Sequence, residues 1–484
     1  MNNLLQHIEL DQNKTATTKN GAISNTSSLN YCVDLFGKIA ALRSQPTAKI
    51  LSLFSKAFGE DPTTALKILF YARDIRGGQG ERNTFRVILR DLAVHESEWV
   101  TNNLHLIPLF GRFDDLYCLV DTPCGNAAFA FMHKQFKQDL VHSNQPSLLA
   151  KWLKRENTSS VESRRLGSLT RKYFGLSSRQ YRKAIVSLCN KLDVVEQKMS
   201  SNRWKAITYS AVPSNASLLY RNAFTKHDAD RYAAYISNVE KGVEKINTST
   251  LYPVDLVSKY LGTSFGVDRT VEVQWKNLPN YVKPFNGIVV ADVSGSMSGI
   301  PIQVSISLAL YIAERNTGPF HNKFISFSET PKLQSVTGTT LRDKVMNLSS
   351  SEWGFSTNLI SVFNLILNTA LENDLEQSDL PKTIFIVSDM QFDQACKNNN
   401  KTNFEVIRKK YKKAKYKMPN LVFWNVNAIE SDTPITVHDT GTALVSGYSP
   451  VVLKAVLESK VITPQDVMNT AILSERYSVV SYAK

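Results

Sequence analysis

"VVADVSGSMSG", residues 289–299, joins an apolar run to one aspartate and then to serines at every second position. A short, uninterrupted apolar run is typical of a strand that is buried on both faces of a sheet. Asp292, Ser294 and Ser296 therefore follow directly where that strand ends. One carboxylate and two hydroxyls are hard oxygen ligands, the kind that Mg²⁺ or Mn²⁺ prefers. The stretch predicts a divalent-cation site at the end of a strand.

The sequence around this stretch alternates between strand and helix patterns from about residue 283 onward. In chain order the segments are GIVVADVS, IPIQVSISLALYIAER, NKFISFS, TNLISVFNLILNTALEN, KTIFIVSDM, NFEVIRKKYKKAKYK, NLVFWNVN and SPVVLKAVLES. Such alternation predicts a mostly parallel sheet with helices on both faces. Ligands of these sheets bind beyond the carboxyl ends of the strands, where Asp292 is expected to lie.

Two more oxygen-bearing side chains are expected near the same edge. Thr357 precedes a predicted helix, and Asp389 ends a predicted buried strand. Asp292, Ser294, Ser296, Thr357 and Asp389 together resemble the metal-ion-dependent adhesion site of von Willebrand factor A domains, which reads D-x-S-x-S, then T, then D. The resemblance covers residues 283–484 and implies a Rossmann-like von Willebrand factor A fold.

That resemblance also implies a role for each of the five residues. Asp292, Ser294, Ser296 and Thr357 would contact Mg²⁺ or Mn²⁺, and Asp389 would act directly or through water. Mg²⁺ rarely takes six protein ligands, so it keeps waters or borrows an oxygen from another molecule. We therefore expect a protein partner whose Asp or Glu completes the coordination shell.

The same letters allow two other interpretations. Ser294 and Ser296 could simply cap the next helix, although capping needs only one hydroxyl. "GSMSG" also fits G-x-S-x-G, the nucleophile elbow of serine hydrolases, with Ser298, Asp389 and His438 in the order of such a triad. A hydrolase needs several strands before its nucleophile, whereas the chain upstream reads as helical, and the elbow gives Asp292 and Thr357 no role.

Residues 30–282 have a helical rhythm. "DPTTALKILFYARDI" places Asp61 as an N-cap before Pro62, and "ERNTFRVILRDLAVH" repeats the amphipathic pattern. The expected architecture is an all-helical bundle or α-solenoid. "RGGQGERN", residues 76–83, lacks the G-K-[ST] ending of a phosphate-binding loop and predicts a break between two helices.

Positive charge is concentrated in this helical region. The formal net charge is +14, and residues 151–250 hold 19 Lys and Arg against 8 Asp and Glu, which accounts for +11. A local excess of this kind, with arginines and interleaved aromatics, favours RNA phosphates and unstacked bases. The candidate RNA-binding residues are Lys154, Arg155, Arg164, Arg165, Arg171, Lys172, Arg179, Arg182, Lys183, Arg203 and Lys205.

Helices followed by a von Willebrand factor A module resemble the TROVE, or Ro, ribonucleoprotein family. The similarity is greatest to an uncharacterised relative of that family found in plants, fungi and large viruses. The stretches that carry it include "LFYARDIRGGQGERNTF", "GRFDDLY", "VVADVSGSMSG", "IVSDMQFDQA" and "GTALVSGYSP". The resemblance implies a HEAT-like helical domain that binds small or single-stranded RNA, beside a module that carries the metal site.

These observations predict a non-enzymatic, RNA-binding ribonucleoprotein component with three parts: a polar lead over residues 1–29, a helical domain over 30–282 and a von Willebrand factor A-like domain over 283–484. The N-terminus lacks the pattern of a signal peptide, and no apolar run reaches membrane-spanning length, so a cytoplasmic protein is expected. The five cysteines form no CxxC pair, which argues against a zinc site or a disulfide framework. A protein-interaction scaffold without RNA is the main alternative.

Overall fold

The computed structural model describes residues 15–141, 145–262, 266–282, 285–327, 330–349, 357–394, 401–429, 432–459 and 462–483. The first 14 residues of the predicted lead, and residues 283 and 284 at the predicted domain boundary, lie outside these ranges. No helix in the described part of the chain is long and apolar enough to cross a membrane.

The helices of the region before the sheet are α1 (Tyr31–Phe36), α2 (Thr47–Glu60), α3 (Pro62–Arg73), α4 (Asn83–His95), α5 (Ser97–Asn102), α6 (Leu106–Phe110), α7 (Gly125–Val141), α8 (Leu149–Trp152), α9 (Val161–Tyr173), α10 (Ser178–Lys191), α11 (Val195–Ser200), α12 (Ser214–His227), α13 (Ala229–Glu240), α14 (Pro253–Val257) and α15 (Arg269–Lys276). The later helices are α16 (Ile300–Arg315), α17 (Leu341–Ser349), α18 (Leu359–Glu372), α19 (Asn403–Lys413), α20 (Val452–Glu458) and α21 (Pro464–Ile472).

The strands are β1 (Thr15–Thr17), β2 (Ile23–Asn25), β3 (Gly287–Ala291), β4 (Lys323–Ser326), β5 (Leu333–Ser335), β6 (Thr383–Ser388), β7 (Asn420–Asn425) and β8 (Thr442–Ser446). Short 3₁₀ turns span Ile39–Ala41, Phe113–Leu119, Trp204–Ala206, Tyr209–Ala211, Gly295–Met297, Gln377–Asp379 and Glu475–Tyr477.

Six strands form one mixed sheet in the order β5-β4-β3-β6-β7-β8. All neighbours pair in parallel except β4 and β5, which are antiparallel. Every residue of β3 and β6 is buried, as their uninterrupted apolar runs predict. The predicted fold class is therefore confirmed: a helical region precedes a mostly parallel, Rossmann-like sheet.

The chain forms two compact units that do not coincide with the change of rhythm near residue 282. The sheet unit comprises the chain up to Ala72, Gly77–Thr84 and Ser249–Ser481. The helical unit comprises Arg73–Arg76, Phe85–Thr248 and the chain from Tyr482.

Two helical stretches belong to the sheet unit because they pack on it. At the end of α1, the Ser446 hydroxyl of edge strand β8 donates to the carbonyl of Phe36 (2.9 Å). Before β3, the Trp275 indole donates to Glu314 (2.8 Å) and the Tyr311 hydroxyl donates to the carbonyl of Pro279 (2.6 Å). A helical sequence pattern thus marks the element type, whereas the tertiary contacts of each helix decide its unit.

The helix predicted after Asp61 is confirmed. The Asp61 carboxylate accepts hydrogen bonds from the backbone N–H of Thr64 (3.0 Å) and from its hydroxyl (2.6 Å), so it caps α3. The glycine-rich break before α4 also has a structural explanation. Gly80 adopts φ +63° and would place a Cβ against the Tyr252 hydroxyl, which donates to the carbonyl of Gln79 (2.9 Å).

A buried ion-pair network holds the start of the helical unit together. The Arg73 guanidinium is 1% exposed and donates twice to one oxygen of Asp115, at 2.9 and 2.6 Å. Arg86 donates to the other oxygen (2.7 Å), and the backbone N–H of Arg112 also donates to Asp115 (2.9 Å). Burial alone would raise the pKa of Asp115, but Arg73 and Arg86 outweigh it and hold that pKa below its ordinary value.

We expect Asp115→Asn to destabilise the protein by about 3–5 kcal/mol, because Arg73 would be left buried beside a neutral amide. Because the folded-state pKa of Asp115 is lowered, its contribution is complete above the unfolded pKa of about 3.9 and disappears as pH falls through the folded value. Urea unfolding from pH 7 down to pH 3 measures both effects.

Asp121→Asn is the matched control, because that side chain pairs with Arg165 while 54% exposed. Its removal should cost no more than about 1 kcal/mol. Equal losses in the two variants would contradict a dominant role for the buried network.

Candidate metal centre and candidate nucleic-acid interface

The sheet order creates a switch point between β3 and β6. The chain leaves β3 towards β4 on one side and later returns to β6 on the other side. Ala291 and Val387 are register partners at the ends of these parallel strands, so Asp292 and Asp389 follow at the same edge. Ligands of open parallel sheets bind in the crevice at such a point.

Asp292 is fully buried and held from two directions. Its Oδ1 accepts the backbone N–H of Ser294 (2.9 Å), and its Oδ2 accepts the hydroxyl of Ser388 (2.5 Å). Burial, together with the nearby charge of Asp389, raises the pKa of Asp292 to about 6. The carboxylate therefore has a fixed orientation, and a nearby cation would stabilise its charged form.

The two predicted serines lie side by side. The Ser294 and Ser296 hydroxyl oxygens are 3.2 Å apart, where the 3₁₀ turn Gly295–Met297 follows the strand. The Ser296 hydroxyl also stabilises the charged form of Asp389. Helix α16 begins after Gly299 without a side-chain cap, so helix capping is not the role of these serines.

Asp389 is 1% exposed and only partly satisfied. Its Oδ1 accepts the backbone N–H of Gln391 (3.1 Å), whereas its buried Oδ2 has no hydrogen-bond partner among the residues described. Burial raises the pKa of this carboxyl group as well. Two adjacent buried carboxylates, one with an unsatisfied oxygen, fit a bound divalent cation.

Thr357 lies at the same rim but is engaged differently. Its hydroxyl is within hydrogen-bonding distance of the carbonyl of Gln391 (2.8 Å) and of Asp393 (2.9 Å), and it accepts the side-chain amide of Asn20 (3.1 Å). The structure thus brings Asp292, Ser294, Ser296 and Asp389 into one cluster, with Thr357 connected to it through Gln391. Across the described ranges, no group of three or more His, Cys, Asp or Glu is placed to hold a metal ion.

Sequence reasoning missed three contributors to this site: Ser388, Gln391 and Asn20. Ser388 stands beside Asp389 in "IVSDM", and a hydroxyl at a strand end was the available signal. Met390 adopts φ +67°, a strained conformation for a residue with a side chain, and strain of this kind concentrates at functional sites. No local pattern connects Asn20 with residues more than 330 positions away.

The hydrolase alternative gains no support from the geometry. Ser298 is exposed, and its hydroxyl makes no hydrogen bond to His438 or to any other described residue. Asp389 belongs to the cluster at the switch point. A nucleophile and its base should lie within hydrogen-bonding reach of each other.

Several of the predicted RNA-binding residues are already committed to local interactions in the helical unit. Arg165 forms ion pairs with Asp121 (2.9 Å) and Glu162 (2.7 Å), and Arg171 pairs with Glu156 (2.8 Å). Arg164 donates to two backbone carbonyls before its own helix. These contacts leave less of the charge excess available to a polyanion than the count of charges suggests.

Other predicted residues line a cavity of about 620 Å³ beside α10. Its cationic side chains are Arg155, Arg179 and Arg182, all exposed. Arg179 and Arg182 form no ion pair or hydrogen bond within the part of the chain that the structure describes. Glu156, the acidic lining residue, is neutralised by Arg171. The cavity is therefore net positive, with two guanidinium groups available to a ligand.

The interleaved aromatics mostly serve the internal packing. Tyr181 and Tyr209 are buried, and the Trp204 ring stacks on His227 with centroids 4.4 Å apart. Tyr173 is 40% exposed and stacks on Phe129 (5.3 Å).

The remaining predicted basic residues lie outside the cavity. Lys172 and Lys183 are exposed. Arg203 donates to Ser201 (2.9 Å), and the Lys154 ammonium lies over the Tyr117 ring (5.7 Å). Lys205 is exposed as well.

These features define a two-unit protein that combines a basic helical cavity with a Rossmann-like sheet bearing paired carboxylates at its switch point. Residues 18–111 and 142–284 match the domain of unknown function DUF2828, and residues 286–478 match the domain of unknown function DUF7788. Over 496 aligned residues the chain is 32% identical to "Uncharacterized protein L728" of Acanthamoeba polyphaga mimivirus, covering 93% of this chain and 86% of that protein. The chain therefore belongs to the family that these two domains and the mimivirus protein represent.

The predicted similarity to a family with viral members is thus confirmed. The chain is also similar to the crystal structure of the Deinococcus radiodurans Ro (RSR) protein, with a TM-score of 0.36 and 13% identity. The match covers 90% of this chain and 92% of that chain. An overlay at that TM-score transfers neither residues nor function.

Proposed function

We propose that the protein binds RNA through its helical unit and, through its sheet unit, a divalent cation that docks a protein partner. The observation that carries the RNA proposal is the arginine-lined cavity, because Arg179 and Arg182 have no internal partner among the described residues. A volume of about 620 Å³ lies within the usual range of ligand pockets. Guanidinium groups suit phosphate oxygens, so small or single-stranded RNA is the proposed ligand.

The cation proposal rests on the unsatisfied oxygen of Asp389 beside buried Asp292. Asp292, Ser294 and Ser296 would hold Mg²⁺ or Mn²⁺, and Asp389 would act directly or through water. Thr357 would become a further contact once its hydroxyl is released from Gln391 and Asn20. All these groups are oxygen donors, which is the chemistry that hard divalent cations require.

Docking follows from the coordination number of the cation. The sheet unit offers fewer oxygen ligands than an octahedral cation needs, so a carboxylate from a partner protein can replace a water. The bound cation would supply the positive charge that attracts this carboxylate. Asp292 is oriented for the purpose by Ser294 and Ser388, and the buried setting strengthens the attraction.

A scaffold that binds protein rather than RNA is the second candidate. The internal ion pairs of Arg165 and Arg171 favour it, because they show that part of the basic excess serves the fold. The two candidates differ in the role of Arg179 and Arg182. RNA binding requires them as phosphate contacts, whereas a protein scaffold does not.

For the cation site, we expect Mg²⁺ to raise the unfolding free energy of the full chain by about 2.7 kcal/mol at 100 times its Kd. Asp389→Asn should abolish this response, because the amide cannot supply a second anionic ligand. Differential scanning calorimetry with and without Mg²⁺ measures the effect. Glu372→Gln, the same change at an exposed carboxylate, is the control. An unaltered Mg²⁺ response in Asp389→Asn would refute the site.

For RNA, we expect the double variant Arg179→Gln, Arg182→Gln to bind a single-stranded oligonucleotide at least about tenfold more weakly at low salt. The slope of log affinity against log salt should become shallower by about one unit, because fewer counterions are released. Fluorescence anisotropy over a salt series measures both quantities.

Lys134→Gln, Lys137→Gln is the matched control, because it removes two exposed charges from α7 in the same unit. That variant should retain nearly the affinity of the unmodified chain. If unmodified protein does not bind RNA in any salt concentration, the scaffold is the better description.

A further inference from the structure

A hairpin from the predicted N-terminal lead crosses the rim of the candidate metal site. Strands β1 and β2 pair in antiparallel fashion, and the turn between them is closed by the backbone N–H of Thr18 donating to the carbonyl of Ala22 (2.8 Å). Gly21 within the turn has φ +89°, which favours glycine. The tip of the hairpin therefore has a defined conformation.

The turn makes four hydrogen bonds to the segment around the site. The Thr18 hydroxyl donates to the carbonyl of Phe392 (2.7 Å), and the Lys19 backbone N–H donates to the side chain of Gln391 (2.7 Å). The Asn20 amide donates to the carbonyl of Gln391 (2.8 Å) and to the Thr357 hydroxyl (3.1 Å). These contacts reach a proposed metal contact and the residues just after Asp389.

The turn also brings a positive charge near Asp389. Lys19 lies close enough to Asp389 to stabilise its charged form. A divalent cation at Asp292 and Asp389 would repel this ammonium group, since like charges at short range oppose each other. A docked turn and a bound cation therefore compete for the negative charge of Asp389.

We propose that the turn Thr18–Gly21 is an intrachain plug that occupies the rim of the cation site and opposes binding of the cation and of the partner's carboxylate. This inference rests on the cation site proposed above. Release of the plug frees the Thr357 hydroxyl from Asn20 and removes Lys19 from the site. By linkage, whatever weakens the docked turn strengthens cation binding, and the cation loosens the turn to the same degree.

The base and the tip of the hairpin are held by separate sets of contacts. At the base, Asn25 and Thr433 exchange two backbone hydrogen bonds of 2.9 Å each, and the Ser24 hydroxyl donates to the carbonyl of Thr433 (2.7 Å). At the tip, Lys19 and Asn20 are exposed. Release of the tip exposes Thr18 and breaks the backbone bridge between Gly21 and Asp393, but it leaves the base contacts in place.

The test is the affinity of the full chain for Mn²⁺, measured by the loss of the free-ion electron paramagnetic resonance signal. Asn20→Ala should bind Mn²⁺ about 5- to 10-fold more tightly, because the docked turn loses two hydrogen bonds. Lys19→Gln should bind about threefold more tightly, because it removes an exposed repulsive charge. Mn²⁺ should also accelerate hydrogen exchange at residues 19–22 of the unmodified chain.

Two controls match these variants. Thr17→Ala alters an exposed hairpin residue outside the turn, and Lys382→Gln removes an exposed charge just before β6, at its opposite end. Both should keep the Mn²⁺ affinity of the unmodified chain. If all variants bind Mn²⁺ equally, the cation site stands and the plug is refuted. If neither the unmodified chain nor the opened variants bind Mn²⁺, both proposals are refuted.

Discussion

Asp292 and Asp389 lie together because β3 and β6 are parallel neighbours whose chain connections leave in opposite directions. Each strand is wholly buried, so its terminal aspartate enters a region that water solvates poorly. Loss of hydration raises the pKa of both carboxylates, and the charge of Asp389 raises that of Asp292 further. Hydrogen bonds from Ser294, Ser296 and Ser388 partly stabilise the charged carboxylates, but a bound cation would stabilise them more. The cation binding proposed for the sheet unit depends on the unfavourable burial of these two carboxylates.

The charged side chains of the helical unit occur in two settings, buried ion pairs and surface positions. At Asp115 the opposite charges are buried together, and the arginines that surround it stabilise the fold rather than a ligand. Around α10 the charges lie on the surface. There Arg171 forms an ion pair with Glu156, whereas Arg179 lines the cavity and can contact a ligand. A count of basic residues cannot separate these cases. The distinction matters because an internally paired guanidinium contributes little to counterion release on binding a polyanion.

The N-terminal hairpin contacts the C-terminal part of the sheet unit's sequence beside the two buried carboxylates. Its base is held by strand-like pairing with Thr433, and its tip is held by a few polar contacts to Gln391 and Thr357. Contacts of the second kind are individually weak, so a cation and an incoming carboxylate can outcompete them. The segment predicted as a polar lead is thereby a candidate regulator of the site, whose oxygen donors all come from the chain that follows it.

The sequence by itself determined most of the element types and the oxygen-bearing side chains proposed for the cation site. Apolar segments that alternate with helical patterns predicted β3, β4, β6 and β7, and the side chains that follow β3 and β6 include the oxygen ligands of the proposed site. Strand β5 escaped prediction because it has only three residues and is largely exposed. Strand β8 escaped as well, although all five of its residues are buried. Only the tertiary structure decided which strands are neighbours, that Ser388 holds Asp292, and that Asn20 reaches Thr357. Periodicity is a property of a few consecutive residues, whereas those contacts join segments that come together only when the whole sheet unit packs.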